Sequence, residues 1–336
     1  MERRKFFYSM ACAAAALNAA GCGSSMGSEL PLNEEFRNAL SRFTGLPGTP
    51  VYSIDTEPGP GLPAWRMDYF ADSKVMIGSA FKTFIIAACL QEIEAGRLSY
   101  GQLVEINDDI RVNDSPVFIN LAGSVQLRSL LDAITAYSDN MAADAVMKQV
   151  GSERVRAFLA AAGLSSTRIP DSIRIIESYL AGAPLGVDIG WDGIKTLLQG
   201  VFPGAPRPAI NDQVSIISTA KELVSYYKRT LQGDFFSKSS TLIGFKRLHA
   251  GGNITFAAFP ETPIYAKLGN ASWLEFHALC YAGQMILCRG AKVTFAFAVN
   301  WHGPDADVAA ISGNFVGAIT DTLTALKQHY EGASKA

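Results

Sequence analysis

Apolar residues recur every three or four positions in some stretches of the 336-residue chain and alternate in others, and these two periods divide it into regions. The spacing predicts an opening helix over 33–43 and a strand at 50–55, closed by Glu57-Pro58-Gly59-Pro60-Gly61. Helical patterns then run for well over a hundred residues. The run 81–95 is apolar nearly all round and stops at Gly96, as a buried helix with a glycine beyond its C-terminus would. Further helices are predicted over 125–135, 141–150 (closed by Gly151) and 153–162 (closed by Gly163), and Thr219-Ala220-Lys221-Glu222 is a capping-box pattern opening another. Beyond Gly252 short β-branched and aromatic runs predict strands at 254–259, 263–267, 273–281, 284–288 and 293–300, with a hairpin turn at Ala282-Gly283. Val308, Ile311, Phe315, Ile319, Leu323 and Leu326 then mark a closing amphipathic helix. The order implies an α+β fold, a layer that holds both termini with a mostly helical lobe inserted between them. The α/β lobe would comprise 32–76 and 238–333, and the helical lobe 77–237.

Composition narrows the function classes. Hydrophobic residues make up 49% and charged residues 18%, too little charge for a disordered or coiled-coil chain. Lys+Arg 29 against Asp+Glu 31 leaves a net charge of −2, so there is no basic excess to hold nucleic acid. None of the four histidines has metal-ligand spacing, and no metal or other cofactor is expected. Residues 1–22 read as an export signal: Arg3, Arg4 and Lys5 precede an apolar stretch too short for a comfortable membrane span. Arg3-Arg4-Lys5-Phe6-Phe7 fits either the general secretory or the twin-arginine route. Ala19-Ala20-Gly21-Cys22 is similar to a bacterial lipoprotein site with Cys22 as the lipidated residue, plain cleavage nearby being the alternative; 23–31 would be a tether. The expected location is the periplasm or cell envelope, with membrane contact only through that anchor, and a monomer acting on a small-molecule substrate. Of the remaining cysteines, Cys89, Cys280 and Cys288, none is expected to form a disulfide.

Lys82 breaks the apolar pattern. It stands among Phe81, Thr83, Phe84, Ile85 and Ile86, where a lysine either reaches for the helix end or loses its charge to burial. Ser79 lies one helical turn earlier on the same face. A serine hydroxyl is a poor nucleophile until a base takes its proton, and a desolvated amine can act as that base. Two further Ser-x-x-Lys pairs, Ser218/Lys221 and Ser225/Lys228, fall on or beside the polar face of the Thr219-capped helix, where solvated side chains need no chemistry.

Ser79-Ala80-Phe81-Lys82, then Ser138-Asp139-Asn140, then Lys267-Leu268-Gly269 resemble the three ordered signatures of class A β-lactamases and related penicillin-binding proteins, S-x-x-K, S-D-N and K-T-G. The resemblance spans nearly the whole chain after the export signal and implies an α+β fold with an antiparallel five-stranded sheet flanked by N- and C-terminal helices and an inserted all-helical lobe. It implies Ser79 as the acylated nucleophile, Lys82 as its base partner and Ser138 as the proton relay to the leaving nitrogen. Asn140 would bind Lys82 and the substrate amide, cap the following helix, or both. Lys267 would face a substrate carboxylate, Gly269 completes the motif, and the N–H groups of Ser79 and Asn270 would form the oxyanion hole. Asp139 would brace the loop. Two departures stand out. Leu268 replaces the motif's threonine, removing a hydroxyl that would bind a lactam carboxylate. Glu177-Ser178-Tyr179-Leu180-Ala181 resembles the E-x-x-L-N setting of the water-activating glutamate, but with Ala181 for asparagine and several residues late, leaving Asp171 as a rival. The implied activity is hydrolysis of β-lactam-type cyclic amides; the alternatives are a D-alanyl-D-alanine peptidase or esterase with poor lactam turnover, or a non-catalytic penicilloyl-binding protein.

Overall fold

The computed structural model describes residues 33–57, 59, 64–252 and 259–332. The export signal, Cys22, the tether and nearly all of the strand expected at 254–259 lie outside the described residues. The elements run α1 (Glu34–Thr44), β1 (Thr49–Glu57), β2 (Trp65–Tyr69), β3 (Val75–Met76), a 3-10 turn (Gly78–Phe81) and α2 (Lys82–Glu94). There follow β4 (Leu103–Ile106), β5 (Gly123–Gln126), α3 (Leu127–Ala136), α4 (Asn140–Val150), α5 (Ser152–Ala161), α6 (Ile173–Leu180) and α7 (Gly190–Leu197). Then come β6 (Ile217–Ser218), α8 (Ala220–Gln232), α9 (Ser239–Ala250), β7 (Ile264–Trp273), β8 (Phe276–Ile286), β9 (Lys292–His302) and α10 (Asp305–Gly332).

Five strands form one antiparallel sheet in the order β2-β1-β9-β8-β7, so the first strand pairs with the last and both ends of the chain enter one layer. Asn33 caps α1 by accepting from the Phe36 N–H, and the buried stripe Phe36, Leu40, Phe43 faces the sheet together with α10. Phe315, Ile319, Leu323 and Leu326 of α10 are fully buried there, worth roughly 1.5–3 kcal/mol each. The opposite face presents Cys280, Ala282, Ala296 and Ala298 to a second core built from α2, α4 and α8. The predicted α+β architecture and its five-stranded sheet are present, but the lobe expected to be all-helical also holds the antiparallel pair β4-β5 and the strand β6, which pairs with β3.

Two strand assignments are corrected. The turn expected at Ala282-Gly283 is absent: β8 runs unbroken, with Ala282 opposite Lys267 and Gly283 opposite Ala266. A Cβ on Gly283 would stand 2.4 Å from the Tyr265 carbonyl, so this glycine serves a close strand approach and not a turn. The strands expected at 273–281 and 284–288 are therefore one. The real reversal is Leu274-Glu275, with Leu274 at φ 54°. Cys280 stands opposite Gly269 and Ala298, and Cys89, Cys280 and Cys288 are free thiols. The Thr219 capping box is half made. Thr219 accepts from the Glu222 N–H at 3.1 Å, while the Glu222 carboxylate accepts from Ser166 N and Thr167 Oγ1, both at 2.7 Å.

The segment after Arg168 is an excursion from this frame. Arg168 N donates to Ile217 O at 2.9 Å and Ile217 N returns to Arg168 O at 3.3 Å, so the neck is closed and 169–216, with α6 and α7, loops out between them.

Candidate active site

Two glycines fix where the site forms. A Cβ on Gly78, whose φ is +47°, would meet the Asn270 carbonyl at 2.4 Å, and one on Gly269 would meet Ile77 O at 2.0 Å and Ala80 N at 2.4 Å. Only hydrogen fits at either position, so β7 lies backbone against backbone on the turn that carries Ser79. Residues 78–80 are thereby set beside residues 269–270, with Asn270 exposed at the mouth.

Lys82 opens α2 and is fully buried. Its Nζ donates to Asn140 Oδ1 at 2.5 Å, to the Ser138 carbonyl and, at 3.4 Å, to Ser138 Oγ. Lys267 reaches the same hydroxyl from β7, donating to Ser138 Oγ at 2.9 Å and to Leu268 O at 2.8 Å. Ser138 Oγ is thus held between two buried amines, and Ser138 adopts φ 56°, a region few non-glycine residues occupy. Burial lowers the Lys82 amine to about 8, while Asp144, Asp139, Asp114 and Glu177 pull it back up. Lys267 lies well below the usual lysine range, through burial first and repulsion from Lys82 second. The hydrogen bonds of Lys82 run to Ser138 and Asn140; its tie to Ser79 is the one-turn spacing.

Asp139, not Asn140, caps α4. Its Oδ1 accepts from Ala142 N at 2.8 Å and its Oδ2 from Val117 N (2.8 Å) and Phe118 N (3.1 Å), so it braces the loop. Asn140 is freed for Lys82, and its Nδ2 donates to Asn113 O at 3.1 Å. With the Asn113 amide turned to match its neighbours, its nitrogen donates to both Glu177 carboxylate oxygens, at 2.6 and 3.0 Å. Lys82, Asn140, Asn113 and Glu177 therefore form one connected row. Burial drives the Glu177 carboxyl well above the ordinary range, Asp114 and Asp144 add to this, and the Asn113 amide and Lys82 oppose it. Asp171 is elsewhere: it is exposed, bonded to Ser152 at 2.7 Å and Arg156 at 2.6 Å, and those two bonds hold it below the usual carboxylate range. Leu268 sits on the far face of the sheet against the α1–α10 core, the opposite face from Lys267.

The other Ser-x-x-Lys pairs carry no such environment. Lys221 pairs with Asp72 at 3.0 Å and Lys228 with Asp55 at 2.7 Å. Three supporting groups had gone unread in the sequence. Asn113 gave no signal, being one polar residue in a loop. Asp144 gave the same signal as Lys82, a charge inside an apolar helix; it is buried, accepts from Ile173 N (2.7 Å) and Arg174 N (3.1 Å), and so caps the helix bearing Glu177. Burial raises it to about 6 against those two bonds. Arg174 pairs with Asp188 at 2.5 Å and closes the excursion on itself. Among the described residues no cluster of three or more His, Cys, Asp or Glu could hold a metal.

The β-lactamase enzyme family model matches residues 31–270. Over 145 residues the chain is 34% identical to β-lactamase 1 of Streptomyces cacaoi, covering 40% of this chain and 42% of that protein. It is 30% identical over 121 residues to a β-lactamase of Amycolatopsis lactamdurans, covering 36% and 37%. The chain thus aligns with less than half the length of either relative. Among solved structures, a β-lactamase from Xanthomonas campestris superposes with a TM-score of 0.62 at 19% identity, covering 86% of this chain and 97% of that one. PBP-A superposes at 0.64 and 13% identity, covering 92% and 100%; these likenesses speak to the fold. With most of its length matched by the family model and its fold shared with those structures, the chain belongs to the β-lactamase enzyme family.

Proposed function

We propose that the protein is a serine hydrolase that opens β-lactam-type cyclic amides through an acyl-enzyme on Ser79. The observation that carries this reading is the Ser138 hydroxyl held between two buried amines, that of Lys82, which lies one helical turn after Ser79, and that of Lys267. With its amine lowered to about 8, Lys82 is in part neutral near physiological pH and can accept the Ser79 proton. Ser79 Oγ then bonds to the lactam carbonyl carbon, the N–H groups of Ser79 and Asn270 receive the oxyanion, and Asn140 holds the substrate amide. The C–N bond breaks as Ser138 gives its proton to the nitrogen and recovers one from the neighbouring amines. For release, Glu177 takes a proton from water, the water oxygen bonds to the acyl carbon, and the Ser79 Oγ–C bond breaks as Oγ takes up the proton that Glu177 had gained.

A second reading, a slow peptidase or esterase that acylates and stalls, would share the same residues: Leu268 carries no hydroxyl and packs on the α1–α10 face away from Lys267, so recognition of a lactam carboxylate would rest on Lys267. The pattern of residues 1–22 supports export to the periplasm or cell envelope by the secretory or twin-arginine route, with Cys22 as lipid anchor or plain cleavage nearby. Intact-mass spectrometry during incubation with a chromogenic cephalosporin tests the activity. Hydrolysis predicts continuing colour through a transient adduct on Ser79; a lasting adduct with one turnover supports the stalled enzyme, and neither adduct nor colour refutes both.

A further inference from the structure

We infer that Arg207 is a positioning residue for release of the acyl group, acting through the helix that carries Glu177; the inference rests on the reading of Glu177 as the base that activates water. Arg207 is half-buried in the returning arm of the excursion. Its Nη1 donates to the Tyr179 carbonyl and to Ala183 O at 2.7 Å, its Nη2 to Gly182 O at 3.4 Å, and its guanidinium lies 4.2 Å from the Tyr179 ring centre. Its own N–H donates to Leu180 O at 2.8 Å. The last carbonyls of a helix are its negative end, and a planar cation is the side chain best suited to gather them. The clamp does not end there, because Trp273 Nε1, at the end of β7, donates to Arg207 O at 2.8 Å. Phe202 of the same arm meets the Trp273 ring edge to face at 6.0 Å, and Ala209 packs with Met76 and Phe276.

α6 is therefore held at both ends by different parts of the molecule. Asp144 and the Arg174–Asp188 pair fix its start; Arg207 fixes its end and ties it to the strand bearing Lys267. Ser79, Lys82 and Ser138 lie outside the excursion, on the α2 turn and the α3–α4 loop, whereas Glu177 lies within it. Loosening the clamp separates the two half-reactions: it moves the carboxylate that activates water and leaves the groups that form the acyl-enzyme where they are.

The test measures acylation and release separately in the full-length protein by intact-mass spectrometry with one cephalosporin, in wild type, Arg207→Met, Glu177→Gln and the double variant. Methionine keeps the packing on Tyr179 and removes every guanidinium donor. Arg207→Met is expected to leave acylation within about threefold and to slow release at least tenfold, with no further slowing in the Glu177→Gln background. Equal losses in both steps, or the same fold-loss in the two backgrounds, would show a merely structural role and overturn the inference. Unslowed release in Glu177→Gln would overturn the base assignment and this inference together; slowed release there with wild-type release in Arg207→Met would overturn this inference alone. Should Arg207→Met not fold, Trp273→Phe removes only the indole donor to Arg207, and a several-fold loss confined to release is then the expected result, an unchanged release the refuting one.

Discussion

Asn113→Ala isolates one contact in the row from Lys82 to Glu177. The substitution removes the amide that reaches both Glu177 oxygens at 2.6 and 3.0 Å and leaves the backbone carbonyl that accepts from Asn140, so the Lys82 side of the site keeps its partners. A hydrogen bond to a charged, half-buried carboxylate is worth about 1.5–3 kcal/mol. Its loss disfavours the anion, and only the anion can take a proton from water. Burial and the charges of Asp114 and Asp144 already hold this carboxyl well above the ordinary range, with the Asn113 amide opposing them, so its removal moves ionisation further up. Release of the acyl group should therefore fall by roughly 10- to 100-fold on the acidic side of the profile and recover as pH rises. Asn113→Asp sets a second carboxylate against the first and should slow release more. Single-turnover release measured across roughly pH 5–9 tests this, with acylation as the internal control. A loss of the same size at every pH, or a loss shared by acylation, would falsify the assignment of Asn113 to the Glu177 carboxylate.

Ser79→Ala should abolish covalent labelling by a fluorescent penicillin with little change in melting temperature, and labelling that persists would move the nucleophile elsewhere. Glu177→Gln should still be labelled and then hold the label; turnover equal to wild type excludes it as base. Gly269→Ala places a Cβ 2.0 Å from Ile77 O and 2.4 Å from Ala80 N, both backbone atoms, so β7 must move off the Ser79 turn. Overpacking of this kind costs about 1–3 kcal/mol or more, and melting should drop roughly 2–10 °C together with acylation. An alanine variant that melts and acylates like wild type would show that the close approach is dispensable.

What the sequence made legible were the places where a residue contradicted its own surroundings. Lys82 stands out because Phe81, Phe84, Ile85 and Ile86 around it are apolar, and the fold answers with Ser138 and Asn140. Asp144 made the same contradiction on α4 and went unread, since its partners are backbone N–H groups of a helix thirty residues away, which no pattern of side chains announces. Asn113 was illegible for a related reason: its meaning is the meeting of two loops. β2 alternates half-buried and exposed residues and carries charges, so only its pairing with β1 makes it a strand. Gly283 read as a turn because glycine's two uses, left-handed backbone and close approach, look identical in one dimension.

Every ionisable group in the row is driven by burial toward its neutral form, and the neighbours decide how far. Lys82 has four carboxylates pulling its pKa upward, from Asp144, Asp139, Asp114 and Glu177. On Lys267 burial acts first, repulsion from Lys82 second and the Cys280 thiol weakly against both; its hydrogen bonds go to a hydroxyl and a carbonyl. Lys267 is therefore the amine most ready to gain a proton when a negative group arrives, and a substrate carboxylate is such a group. Binding of a carboxylate-bearing lactam should take up protons, whereas the corresponding ester should take up none. Calorimetry of the acylation-incapable Ser79→Ala variant, run in buffers of different ionisation enthalpy, reads this uptake directly. Binding enthalpies that do not depend on buffer would mean that Lys267 is already charged, and the charge that burial opposes would have to be held by something other than the substrate.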